Sequence, residues 1–155
     1  MVDFNLSLSE LTVRQAARTF ASTHLAGARA AYSSLTSHAE RFQSIEPIYR
    51  EAVRAGLLKG QIPAPIGGTS HSLIEAARLV EEFYSVEPAA SLSLFGTGLG
   101  LTPLALAFRP ELDEFLKPFL QDDGTPLASL VFSEPQGVVG VYQTVMASTN
   151  LTLWG

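Results

Sequence analysis

The chain has no cysteine among its 155 residues, which removes disulfides, thiol nucleophiles and thiolate metal sites together. Positive charge is also scarce: ten Lys and Arg against fifteen Asp and Glu give a formal net charge of −5. The cations are scattered, with no basic run and no basic helix face, which argues against nucleic acid and anionic membranes as partners. No window reads as the roughly 20 apolar residues of a membrane span. The start, Met1-Val2-Asp3-Phe4-Asn5, has neither the positive nor the apolar region of a secretory signal, so a cytoplasmic location is expected. The G-x-S-x-G elbow, the P-loop and the H-E-x-x-H metal motif are absent too. His24, His38 and His71 have no second His or carboxylate at ligand spacing. They read as surface or cap-adjacent residues, and no metal site is expected.

Apolar residues, by contrast, are abundant. The hydrophobic share is 46% and the charged share 16%, more apolar surface than a monomeric domain needs to bury by itself. The excess predicts a face covered by another domain, a subunit or a ligand.

Hydrophobic spacing predicts a mainly helical chain. Ser7-x-x-Glu10 has the form of a capping box and should open a helix from about Leu8 to Thr23. A second helical stretch follows at Ala26–Leu35, and a third at Pro47–Ala55, closed by Gly56. Leu57 to Gly68 holds Pro63, Pro65, Gly67 and Gly68 and cannot be helical. Thr69 to Ser72 should cap an amphipathic helix with Leu73, Ala76, Ala77, Val80 and Phe83 on its apolar side. Adjacent Glu81 and Glu82 read as a solvated face. Ala89–Phe108 is apolar on nearly every face, the pattern of a helix buried on all sides. Pro110–Leu120 reads as a short, bent helix, and Asp122-Asp123-Gly124 as a turn. Leu127–Phe132 then reads as a strand. The tail from Val138 is β-like without a clear partner, so it is expected to have no stable place of its own.

Two local patterns bear on chemistry. Gly96, Gly98 and Gly100 alternate inside the apolar helix, where each costs about 1 kcal/mol relative to alanine. They do not follow a strand, so close approach of another backbone or a ligand explains them better than a dinucleotide fingerprint. Ser133-Glu134-Pro135 sets a hydroxyl and a carboxylate at a strand end, which reads equally as an ordinary turn or as a place where a ligand is met.

Several ordered blocks carry a resemblance: Val2-Asp3-Phe4-Asn5-Leu6-Ser7, Arg41-Phe42-Gln43, Tyr49–Arg54 with Gly56-Leu57, and Pro63–Thr69. They continue through Val86–Ala89, Leu99-Gly100-Leu101, Phe115–Phe119, Pro126–Leu130 and Ser133-Glu134-Pro135-x-Gly137. Over residues 2–137 the chain resembles the N-terminal region of the acyl-CoA dehydrogenase superfamily, in particular its fungal nitroalkane oxidase branch. The resemblance implies a mainly α fold, with a helical N-terminal domain at 1–125. The start of a middle β domain would follow at 126–155, truncated and atypical after 137. It implies FAD as cofactor, with Val131, Phe132 and Ser133 as flavin contacts and Glu134 as a structural acid. It also implies a substrate tunnel lined by Phe95, Gly96, Thr97 and Gly98, for a small or acyl-type substrate.

By the same resemblance the catalytic base and much of the FAD site belong to segments beyond this sequence. The chain is therefore expected to be the front part of a flavin-dependent oxidoreductase, inactive in redox chemistry alone and without retained FAD. Its partner would be a homo-oligomer or the missing domains. Two other readings stay open: a stand-alone helical small-molecule-binding protein or cofactor-independent enzyme such as a cyclase, and an interaction domain packing on a full-length relative.

Overall fold

The computed structural model describes residues 5–107, 109–133 and 139–148. Ser7 accepts the Glu10 N–H and Glu10 reaches back to the Ser7 N–H, so the expected capping box opens α1, Leu8–Phe20. The helix then widens into a π turn, Ala21–Leu25, rather than running regularly to Thr23. After α2, Ala28–Tyr32, comes α3, His38–Gln43, which the hydrophobic spacing does not signal. A second capping box, Ser37 with Glu40, starts it. α4 spans Glu46–Arg54, and Gly56 just beyond takes φ +74, a left-handed conformation that a Cβ disfavours. Two 3₁₀ turns, Lys59–Gln61 and Ala64–Ile66, fill the proline-rich segment.

α5, Leu73–Tyr84, is capped by Ser72 and lies along α1. Its buried side differs from expectation. Leu73 and Val80 are exposed, and Glu82 is buried beside Phe83. The reason is electrostatic: Arg14 and Arg18 of α1 clamp both Glu82 oxygens, at 2.8 and 2.9 Å. A carboxylate so paired is stabilised out of water. These charge-assisted bonds, from Arg18 first and Arg14 second, hold Glu82 below the ordinary carboxylate range. Stacking of Phe20 on Phe83, 5.3 Å between ring centroids, continues the α1–α5 seam inward.

α6, Pro88–Ala107, crosses the array. Glu87 caps it, accepting the Ala90 N–H at 2.6 Å through one oxygen and the Tyr32 hydroxyl at 2.6 Å through the other. Its composition predicts burial on every side, but only one face is buried. Leu94 and Leu101 lie in the core, whereas Leu92, Leu99 and Leu106 are 63, 55 and 71% exposed. At 20 residues without a charge, α6 is long and apolar enough to cross a bilayer by length and composition, contrary to the sequence expectation. Its inner face packs within the helical core, as in the central helix of a globular array. A short helix, α7 (Asp113–Leu116), between 3₁₀ turns at Pro110–Leu112 and Lys117–Leu120 follows the bent course anticipated for that segment.

β1, Leu127–Ser133, then runs across α6. Its partner is β2, Val139–Ser148, antiparallel, with Leu127 opposite Ser148 and Val131 opposite Thr144. The expectation of an unpartnered tail is thereby corrected over 139–148. A second Val- and Thr-bearing run has the alternation that a neighbouring strand requires, even without a tight-turn signal between the two. Residues 134–138, with the Glu134-Pro135 motif, lie outside the described residues.

Leu92→Glu should leave the melting temperature nearly unchanged, because water still reaches position 92. Leu101→Glu should cost several kcal/mol by burying an unpaired charge. Equal losses in thermal denaturation would contradict the one-sided burial of α6. Glu82→Gln should cost about 1–2 kcal/mol at neutral pH, since the two arginines are half exposed and can be resolvated. The contribution of Glu82 is present above the ordinary carboxylate range and fades as pH falls through its lowered folded-state value. Wild-type and Glu82→Gln melting curves should therefore converge in acid, and a gap that widens there would contradict the ion pair.

Candidate functional site

A groove of about 330 Å³ lies between α6 and β1, lined by Gly96, Thr97 and Leu99 on one side and by Leu127 to Leu130 on the other. Phe42 of α3 and Ser93 close it. The walls are apolar, with the hydroxyl residues Ser93, Thr97 and Ser129 as polar exceptions, a composition suited to a small, weakly polar ligand.

The alternating glycines divide by role. A Cβ on Gly100 would sit 2.6 Å from the Ala128 carbonyl carbon and 2.6 Å from the Ser129 nitrogen. Helix and strand backbones therefore touch there, and only glycine permits it. A Cβ on Gly98 would sit 2.0 Å from Gln61 Oε1, whose amide donates to the Leu94 carbonyl at 3.3 Å. Gly96 is different: a Cβ there would meet nothing within 4 Å. Packing explains two of the three glycines and leaves Gly96 as open floor of the groove.

Tyr49 fixes the far wall. Its hydroxyl lies 2.6 Å from the Pro126 carbonyl and 2.8 Å from Thr97 Oγ1. A phenol has one proton and a carbonyl can only accept, so Tyr49 donates to Pro126 and Thr97 donates to Tyr49. Thr97 then has no proton left to donate into the groove. Burial lifts the Tyr49 hydroxyl well above the ordinary phenol range. Its two hydrogen bonds tie α4, α6 and the entry of β1 together.

Of the four tunnel residues expected from sequence, the structure brings Gly96 and Thr97 to the groove. Phe95 points the other way, 5.5 Å from the Phe83 ring, and Gly98 is covered by Gln61. Val131, Phe132 and Ser133 form the end of β1, where the register with β2 breaks between Val131 and Ser133. Spacing alone does not reveal Phe42, Tyr49 or Ser129, because three separate segments meet at the groove. Among the described residues no group of three His, Cys, Asp or Glu could hold a metal ion. A larger recess of about 450 Å³ lies at the other end of α6, but its cations Arg109 and Lys117 are neutralised by Glu111 and Glu114.

A helical array around one apolar helix, with a strand laid across that helix to form a groove, defines a class. The chain belongs to the acyl-CoA dehydrogenase family: residues 8–121 match the family model of the acyl-CoA dehydrogenase N-terminal domain. Among characterised proteins it is similar to nitroalkane oxidase of Podospora anserina, 54% identical over 143 residues, and of Fusarium oxysporum, 49% over 144. Each alignment covers 92% of this chain and 33% of the relative, so the chain spans about a third of their length. The solved Podospora anserina enzyme superposes with a TM-score of 0.85 at 55% identity, covering 89% of this chain and 33% of that one. A nitroalkane oxidase active-site mutant crystallized with 1-nitrooctane gives 0.84 at 50%, covering 88% and 32%. One solved relative is described as a flavoprotein.

Gly96→Ala should be neutral or stabilising by up to about 1 kcal/mol, from helix propensity alone. Gly100→Ala should be destabilising by about 1–3 kcal/mol, because α6 must move off β1. Urea titrations of the two variants test the division of roles, and reversed signs would refute it.

Proposed function

We propose that this chain provides the helical N-terminal portion of an FAD-dependent oxidoreductase of the nitroalkane oxidase kind. It would form one wall of the substrate tunnel and one strand beside the flavin. The observation that carries this reading is the groove between α6 and β1, whose floor at Gly96 is left open by a helix that would be more stable with alanine there. About 50% identity to nitroalkane oxidases across the same segment supports it. The domain division near residue 125 belongs to this proposal.

The end of β1 fits one side of a flavin. The register with β2 shifts between Val131 and Ser133, and such an irregularity at a strand end can turn backbone groups toward a ligand. Val131, Phe132 and Ser133 are the residues that would hold the ring edge. When bound, FAD supplies the electron-accepting chemistry that no side chain of this sequence can provide. The chain's own contribution is position and an apolar wall: Leu99, Leu127 and Leu130 present hydrocarbon to the groove, and Tyr49 sets the spacing of α6 and β1 through Thr97 and Pro126.

One strand end cannot hold a long, flexible dinucleotide. Ordering it costs more than a few hydrogen bonds of about 1 kcal/mol each return. The purified chain should therefore be colourless after gel filtration and should not oxidise 1-nitrooctane. Mixing it with a fragment carrying the remaining two thirds of Podospora anserina nitroalkane oxidase should restore yellow absorbance and turnover. Stoichiometric FAD on the isolated chain would overturn the shared-site reading. Tight binding of 1-nitrooctane without flavin would favour the stand-alone binding protein instead.

A further inference from the structure

The sequence contains ten Lys and Arg, and eight of them form ion pairs with carboxylates among the described residues. The two left over are Arg29 and Arg41, far apart in sequence, yet they line the same cleft of about 390 Å³. In an acidic chain whose other cations are all matched, two cations without an ion pair among the described residues, meeting in one recess, form a local positive centre. Tyr32, Ser33 and the buried Glu87 share the cleft.

Glu87 does not cancel this centre. Its two oxygens are taken by the Tyr32 hydroxyl and the Ala90 N–H, and it supplies one negative charge against two guanidiniums. Because Tyr32 donates its only proton to Glu87, it has none for a ligand. That bond, with burial, raises the Tyr32 hydroxyl above the ordinary phenol range, and both arginines pull in the opposite direction. Both charges are therefore felt at the same hydroxyl. Arg41 directs Nε to the Leu35 carbonyl at 2.6 Å, which positions its guanidinium and leaves its other N–H groups available. Arg29 makes no ion pair among the described residues.

The cleft also leads somewhere. Ala89 of α6 lines it, and Ser93 and Gly96, one and two turns further along the same face, line the groove beside β1. Arg41 lines the cleft and its neighbour Phe42 lines the groove. We infer that Arg29 and Arg41 form an oxyanion-binding site at one mouth of the α6–β1 groove, suited to a carboxylate or phosphate head whose alkyl chain enters the groove. The inference rests on the groove of the proposed function only for the tail of the ligand, and flavin plays no part in it.

Calorimetric titration of the full, flavin-free chain with sodium octanoate, octyl phosphate and 1-octanol tests it. Both anions should bind more tightly than the alcohol, and rising salt should weaken the anions alone. The tighter anion identifies the head group as carboxylate or phosphate. Arg29→Gln should weaken the anions by about tenfold and leave 1-octanol unchanged, with Arg29→Lys intermediate because it keeps charge without the planar fork. Its thermal melt should match wild type, since Arg29 makes no ion pair among the described residues. Anion binding unaffected by both Arg29→Gln and Arg41→Gln, or no preference for the anions over 1-octanol, would overturn the site. A colourless chain that binds neither anion would overturn this inference and leave the flavin reading standing.

Discussion

The close approach of α6 to β1 at Gly100 is the contact on which the rest depends. A helix backbone and a strand backbone meet with no side chain between them, so the strand enters the helical core instead of resting on a layer of leucines. Leu127 and Ala128 are buried there with Leu101, Leu116 and Phe119. At its start the helix is closed by Glu87 and Tyr32. Within one turn of the contact Thr97 is tied through Tyr49 to the carbonyl that leads into β1. The spacing between helix and strand is thus set by backbone contact at one place and by a buried hydroxyl at another. The groove is the space that remains between them.

Electrostatics fixes the outer frame. Among the described residues two carboxylates leave solvent, and each does so with its oxygens occupied: Glu82 by arginines of α1, and Glu87 by a phenol and a helix N–H. A buried acid is tolerated on such terms. Each ties together segments distant in sequence, α1 to α5 in one case and α2 to the start of α6 in the other. The remaining ion pairs are largely on the surface and add little to stability.

Features encoded by neighbouring residues are legible in the sequence. The capping box at Ser7 and Glu10, the proline break at 63–68, the strand at Leu127 and the family blocks all depend on local chemistry. The capping box at Ser37 and Glu40 is equally local, but the short helix it starts has no strong apolar stripe to draw notice. Features set by tertiary contact are not legible in this way. Glu82 looks identical to Glu81 until α1 is laid beside it, and Leu92 looks as apolar as Leu101 until the core is placed on one side only. The alternating glycines signal close approach, but not which of them meets a backbone, which a glutamine and which nothing.

The central claim is that α6 and β1 touch backbone to backbone, and proton–proton cross-relaxation in solution reads that distance directly. In the isotope-labelled chain, the Gly100 α-proton that occupies the Cβ direction should give a strong cross-peak to the Ser129 amide proton. A spectrum with both resonances assigned and no cross-peak between them would mean that the strand does not lie on the helix, and that the groove as described does not exist.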